Sequence, residues 1–136
     1  MKAKKVLVID GQGGKMGAAI VEQLKASGGS IEITAVGTNT AATAAMLKAG
    51  ADHGATGENP AVVCCRTAEY IVGPVGIIVA DSLLGEVSPK MAVAVGQSPA
   101  RRVLIPVNLC NTHIAGTRDM SLGEYVKAAL REVLES

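Results

Sequence analysis

The chain is almost free of aromatic residues, because Phe and Trp are absent and only two Tyr occur among its 136 residues. Proteins that bind single-stranded nucleic acids stack the bases on aromatic side chains, so this composition argues against that class of function. Neither positive nor negative charge is in large excess, since the formal net charge is +1 at pH 7. Neither a nucleic acid nor an anionic membrane is therefore expected as the main partner.

Long apolar runs and a secretion signal are missing as well. No stretch approaches the roughly 20 apolar residues that a membrane-spanning helix needs. The basic start is followed by an apolar run that ends already at Asp10, which is too short for a signal peptide. Cysteine is rare and odd in number: Cys64 and Cys65 are neighbours that do not readily bridge each other, and Cys110 stands alone. We therefore expect a reduced, cytoplasmic protein.

The residues that are plentiful are small and aliphatic. Hydrophobic residues make up 49% of the chain and charged residues 18%, which is typical of a folded globule. The length suffices for one domain over residues 1–136 with a substantial core. Without Phe and Trp, that core must consist of Ala, Val, Ile, Leu and Met, and such residues suit helices that pack closely on a parallel sheet.

The hydrophobic periodicity predicts strands that alternate with helices. The predicted strands are 4–10, 31–36, 51–56, 75–81 and 102–107. The predicted helices are 14–26, 40–49, 60–72 after the N-cap Asn59, 89–96 after Ser88, and 122–134 after a capping box of Ser121 and Glu124. Such alternation requires right-handed crossovers. It predicts an α/β fold in three layers, a Rossmann-like, doubly wound five-stranded parallel sheet of order 3-2-1-4-5, with its crevice between the first and fourth strands.

A glycine-rich turn directly follows the first strand and leads into the first helix. It reads Gly11, Gln12, Gly13, Gly14, Lys15, Met16, Gly17. Glycine permits a positive φ and a close approach of a ligand, while the start of a helix offers free N–H groups and the positive end of its dipole. The turn therefore predicts a site for the phosphates of a nucleotide or dinucleotide. The alternative is that the glycines only allow the first helix to pack closely on the sheet.

Other polar residues are predicted at the same edge of the sheet. Thr38 and Asn39 follow the second strand, where they would hydrogen-bond a ribose or a 2′-phosphate, and Asp81 ends the fourth strand. Neither NAD nor NADP is favoured, because the second strand is followed by no Asp, Glu or Arg. Asp10 and Asp81 end neighbouring strands and would hold Mg²⁺ in one interpretation. In the other, Asp10 accepts hydrogen bonds from the glycine turn.

No catalytic group and no metal site is predicted. Of the two histidines, His113 is the better acid–base candidate because it follows the fifth strand, although no partner for it can be identified. Cys110 and His113 have the spacing of metal ligands, but Cys64 and Cys65 lie in an apolar segment where cysteine behaves as a small hydrophobe. The chain also lacks a Gly-x-Ser-x-Gly elbow and a Walker loop, so neither a serine hydrolase nor a P-loop ATPase is expected.

The segment from Val8 to Gly17 resembles the cofactor loop of dihydrodipicolinate reductases, which reads close to Gly-x-Gly-Gly-Arg-Met-Gly. This resemblance implies NAD or NADP as the cofactor. It implies that Gly11, Gly14 and Gly17 form the turn and that Lys15 takes the place of a phosphate-binding arginine. Two features carry a second resemblance: the same segment from Val8 to Gly17, and Gly37-Thr38-Asn39 before an Ala-rich helix. On these features the chain resembles, over its whole length, a family of small bacterial Rossmann-like proteins of unknown function, which implies the fold and no activity.

The sequence is compatible with two functions. In the first, the chain is a small nucleotide-binding or sensing module for NAD(P). In the second, it is an NAD(P)-dependent oxidoreductase whose substrate site is completed at an oligomer interface. The sequence favours the module, because it shows neither an acid–base pair nor a substrate domain. The last helix and the edge strand offer surfaces for a homodimer, unless that helix simply covers its own sheet.

Overall fold

The computed structural model describes residues 2–107 and 111–136. The strands are β1 (Lys4–Asp10), β2 (Ile31–Gly37), β3 (His53–Thr56), β4 (Tyr70–Pro74) and β5 (Arg101–Ile105). The helices are α1 (Lys15–Ala26), α2 (Thr40–Lys48), α3 (Glu58–Cys64), α4 (Pro89–Gln97) and α5 (Leu122–Leu134). All strand pairs are parallel and the order is β3-β2-β1-β4-β5. The predicted doubly wound α/β fold is confirmed.

Two apolar cores lie on opposite faces of the sheet. The core on one face joins β1 and β2 to α1, α2 and α5, and the core on the other joins β1 and β4 to α3 and α4. Strand β1 contributes Val6 and Val8 to the first and Leu7 and Ile9 to the second. A strand that is buried on both faces reads as a continuous apolar run, which is why this strand was recognisable from sequence.

The parallel register brings the ends of β1 and β2 together. Asp10 is paired with Gly37, and the backbone N–H of Thr38 donates to the carbonyl oxygen of Asp10 at 3.0 Å. The segments that follow the two strands therefore start side by side at the carboxyl edge, where ligands of such sheets bind.

Side-chain caps begin three of the helices. Asn39 caps α2, Ser88 caps α4 ahead of Pro89, and Ser121 caps α5 in a capping box with Glu124. The predicted helix starts at these residues are confirmed. Helices α1 and α3 differ, because no side chain of the described residues caps their N-termini. No helix among the described residues is both long and apolar enough to cross a membrane.

The third helix and the fourth strand were predicted at the wrong places. Helix α3 begins after Gly57 and not after Asn59, and it ends at Cys64 where the prediction continued to residue 72. Strand β4 then occupies Tyr70–Pro74. The predicted strand 75–81 is not formed, and Val75–Ile78 is a 3-10 helix whose first three residues are buried.

The cause of this error is Gly73. Next to Pro74 it resembles a helix breaker, but its place is inside the sheet. A Cβ atom at Gly73 would overlap the carbonyl oxygen of Ile9 in β1, so glycine allows these two strands to lie close together.

The cap of α5 provides a prediction about stability. We expect Ser121→Ala to lower the free energy of unfolding by about 1 kcal/mol, because the N–H of Glu124 loses its acceptor. Chemical denaturation measures this change. Ser30→Ala is the control, since Ser30 is exposed and its side chain caps no helix, and it should leave stability unchanged. Equal stability of the two variants would contradict the role of the cap.

Candidate functional site

The glycine turn connects β1 to α1 tightly, and two of its residues have a left-handed backbone conformation. Gln12 and Gly14 have φ values of 51° and 71°, and the N–H of Gly14 donates to the carbonyl oxygen of Gly11 at 2.9 Å. A Cβ on Gly14 would also collide with the backbone of Ala42 in α2. The positive φ and this close contact both require glycine at position 14.

The carboxylate of Asp10 holds the turn in place through hydrogen bonds to both of its oxygens. One carboxylate oxygen accepts from the N–H of Gly11 at 2.8 Å and the other from the N–H of Gly17 at 2.7 Å. The side chain is only 5% exposed, and burial raises the pKa of this carboxyl although the two hydrogen bonds act in the opposite direction. Both oxygens are thus engaged inside the turn, as in the interpretation that was the alternative to a Mg²⁺ ligand.

The packing of the fold also requires glycine at positions 11 and 17. A Cβ on Gly11 would overlap the side chains of Thr38 and Glu86, and one on Gly17 would overlap Met46. Close packing therefore explains the glycines at both positions without any ligand.

Gly13 is different from the other glycines of the turn. No atom of the described residues lies within 4 Å of a Cβ built at Gly13, the φ of Gly13 is not positive, and the residue is exposed. The fold therefore places no demand for glycine at this position.

Free backbone donors surround Gly13. The N–H groups of Gly13, Lys15 and Met16 have no hydrogen-bond acceptor within the part of the chain that the structure describes. They lie at the N-terminus of a helix of 12 residues that has no side-chain cap, where the helix dipole favours an anion. Lys15 is exposed at the first helical position and adds a positive charge there.

Glu86 is a residue of this site that the sequence analysis missed. Its Oε1 atom accepts from the N–H of Gln12 at 2.9 Å, the hydroxyl of Thr38 at 2.5 Å and the Nδ2 of Asn39 at 2.9 Å. The hydrogen bond from Thr38, followed by that from Gln12, lowers the pKa of Glu86. The carboxylate is therefore ionised at neutral pH.

Glu86 reaches the turn from residues 79–87, which we call the crossing segment. Left-handed φ values of 65°, 56°, 57° and 86° at Asp81, Leu83, Leu84 and Gly85 coil the segment tightly. The buried Leu83 joins it to the core beside β1 and β4, and the hydroxyl of Ser82 donates to the carbonyl oxygen of Gly76 at 2.5 Å. These contacts hold Glu86 against the glycine turn.

The predicted residues after β2 do come together with the turn. Asn39 uses its Oδ1 to cap α2 at Ala42 and its Nδ2 to bond Gln12 and Glu86, so its amide group is occupied within the fold. Thr38 donates its hydroxyl to Glu86. Both side chains therefore orient Glu86 at the end of β2.

Asp81 does not lie where the sequence placed it. It was predicted at the end of a strand beside Asp10, but it is an exposed residue of the crossing segment. No group of three or more His, Cys, Asp or Glu side chains suitable for a metal ion occurs among the described residues. The pairing of Asp10 and Asp81 at neighbouring strand ends is therefore wrong.

The remaining candidates from the sequence are one histidine and three cysteines. His113 is exposed in the segment that precedes α5. Burial raises the pKa of the Cys65 thiol to about 11 and also raises that of Cys64, which fits their interpretation as small hydrophobes. Cys110 lies outside the described residues.

A separate apolar cavity of about 360 Å³ lies between β5 and α5. Its walls include Val103, Ile105, Tyr125 and Ala129. None of the residues that line it belongs to the glycine turn or to the crossing segment. Residues of this cavity can therefore serve as controls when ligand binding at the turn is measured.

Comparisons with known proteins place the chain in a family without assigning a function. The family described as Domain of unknown function (DUF3842) matches residues 5–136, which agrees with the predicted resemblance to a family of unknown function. No curated protein matches the chain. A dodecameric FMN-dependent Ubix-like decarboxylase from Escherichia coli O157:H7 is 14% identical at a TM-score of 0.43, covering 97% of this chain and 93% of that chain. Similarity at this level indicates nothing about function here.

Proposed function

We propose that this chain, which belongs to the DUF3842 family, binds the diphosphate of a dinucleotide of the NAD(P) class at its glycine turn. The observation that carries the proposal is the set of free N–H groups of Gly13, Lys15 and Met16 at the uncapped start of α1. Helices commonly satisfy such groups with a side-chain cap, as α2, α4 and α5 do here.

A phosphate group suits this arrangement for three physical reasons. The free N–H groups donate hydrogen bonds to anionic oxygens, and each such charge-assisted bond contributes roughly 1.5–3 kcal/mol. The dipole of α1 adds attraction at the same place. Gly13 carries no side chain above these donors and is not needed for packing, so it leaves room for a ligand.

The position of the turn supports a dinucleotide as the ligand, and not a phosphate alone. The turn follows β1 at the point where the strand order reverses, and Thr38 and Glu86 lie beside it at the end of β2, where a ribose would be held. The assignment to NAD(P) further uses the resemblance of the turn to reductase cofactor loops.

A binding or sensing role fits the side chains around the turn better than catalysis does. Both oxygens of Asp10 are held by backbone N–H groups, and Glu86 is ionised and hydrogen-bonded to Thr38 and Asn39. These groups bind and orient, and they are poorly suited to proton transfer. We therefore propose a module that binds the cofactor.

A substitution at Gly13 separates binding from folding. In Gly13→Asp the new carboxylate lies next to the free N–H groups, where it repels a phosphate and interacts favourably with the start of α1. We expect the affinity for NAD(P) to fall at least about tenfold, which is about 1.4 kcal/mol, without loss of thermal stability. Isothermal titration calorimetry and thermal denaturation measure the two quantities.

Gly13→Asn is the matched control, because it adds similar bulk without charge. The unchanged protein should be stabilised by about 2.7 kcal/mol at a ligand concentration one hundred times the dissociation constant. The ligands to compare are NAD, NADH, NADP, NADPH, ATP and AMP, each with and without Mg²⁺. The proposal is wrong if none of the four dinucleotides binds, or if Gly13→Asp binds them as tightly as Gly13→Asn does.

A further inference from the structure

Glu86 supplies a carboxylate at the end of β2, although it belongs to the crossing segment between β4 and α4. Two of its hydrogen-bond donors, Thr38 and Asn39, are the residues that directly follow β2, and the third, Gln12, is in the glycine turn. The absence of an acidic residue after β2, which was apparent from the sequence, is thus made up by a residue 48 positions after Thr38.

The two oxygens of this carboxylate have different surroundings. Oε1 accepts all three hydrogen bonds, from Gln12, Thr38 and Asn39. Oε2 accepts none from the residues that the structure describes, and Glu86 is partly exposed. One oxygen therefore fixes the direction of the group, and the other remains an unused acceptor beside the proposed phosphate site.

We infer that Glu86 accepts a hydrogen bond from the 2′-hydroxyl of the adenosine ribose and thereby selects NAD over NADP. This inference rests on the proposed function. A ribose hydroxyl can donate to Oε2, whereas a 2′-phosphate has no donor for it and brings a like charge into contact with the carboxylate. Sites built around a hydrogen bond to a substrate hydroxyl discriminate strongly against analogues that cannot make it.

A simpler role for Glu86 would be to tether the crossing segment to the turn. Glu86→Gln separates the two roles. The amide oxygen of Gln can still accept from Gln12, Thr38 and Asn39, so the tether is retained. Its NH₂ group then occupies the position of Oε2, where it cannot accept from a hydroxyl but can donate to a phosphate.

The experiment measures the affinities for NAD and NADP in the unchanged protein, in Glu86→Gln and in Glu22→Gln. Glu22 is exposed on α1, so the control makes the same change of net charge away from the turn. We expect at least a tenfold preference for NAD in the unchanged protein and in Glu22→Gln, and equal binding or a preference for NADP in Glu86→Gln. Equal binding of both ligands by the unchanged protein overturns the inference, as does a preference that survives in Glu86→Gln.

A second measurement needs no variant and covers the case in which Glu86→Gln does not fold. The unchanged protein should bind NAD about tenfold more tightly than the analogue that lacks the 2′-hydroxyl on the adenosine ribose, and equal affinities overturn the inference. If neither NAD nor NADP binds, the proposed function itself is wrong. If both bind to the turn without discrimination, only the role of Glu86 is wrong.

Discussion

Replacing Gly73 by Ala is expected to destabilise the protein by about 3 kcal/mol or more, because an added Cβ has no room between two central strands. The atom it would meet is the carbonyl oxygen of Ile9. This is a backbone atom of β1, so it cannot move away as a flexible side chain could. Strands β1 and β4 would have to separate, and both cores contain residues of these strands.

Chemical denaturation with far-ultraviolet circular dichroism measures the effect. Gly96→Ala is the matched control, because a Cβ at Gly96 in α4 meets no atom within 4 Å in the part of the chain that the structure describes. Alanine there should be neutral or stabilising by up to about 1 kcal/mol. If Gly73→Ala were as stable as this control, the contact between β1 and β4 would be looser than described.

Asp10→Ala is the second substitution for which a large effect is expected. It removes the acceptor of two backbone N–H groups, those of Gly11 and Gly17, in a site where the side chain is 5% exposed. Each buried donor that is left without a partner costs about 1–3 kcal/mol, so we expect a loss of about 3 kcal/mol. The glycine turn should also lose its fixed geometry, and the affinity for NAD(P) should fall with it.

Asp81→Asn is the control for this experiment. Asp81 is exposed and has a φ of 65°, a conformation that Asn also tolerates, so stability and ligand affinity should not change. The same variant tests the interpretation in which Asp10 and Asp81 hold Mg²⁺. Binding that requires Mg²⁺ and disappears in Asp81→Asn would contradict our account of both residues.

Much of the fold was predictable from local patterns. The buried run of β1, the stripe of α1 and the caps at Asn39, Ser88 and Ser121 each depend on residues close together in sequence. Given those elements, the general rules for crossover connections left the order 3-2-1-4-5 as the expected topology.

The segment around Gly73 could not be predicted in this way. Gly73 and Pro74 have the same local appearance as a helix breaker, and the apolar residues that follow have the appearance of a buried strand. The correct placement depends on the close approach of Ile9 from another strand, which is a tertiary contact without a local signal. The residues Tyr70–Val72 of β4 were predicted as the end of a helix, and their only local strand signal is their aromatic and β-branched side chains.

Only the local part of the site could be predicted from the sequence. The glycine turn is local, and its position after β1 follows from the sequence. The role of Glu86 depends on contacts with Gln12 and Thr38, which are 74 and 48 residues away, and on a coiled crossing segment that no periodic pattern reveals. Local patterns therefore give no signal for Glu86.

The measurement that tests the central claim most directly is a titration of the ¹⁵N-labelled protein with NAD, followed by amide chemical shifts. Our account predicts the largest shifts for the amide signals of Gly13, Lys15 and Met16, whose N–H groups are free in the described structure. Val103 and Ala129 in the cavity between β5 and α5 should change little. Unchanged signals from the turn at saturating NAD, or shifts confined to that cavity, would contradict a nucleotide site at the start of α1.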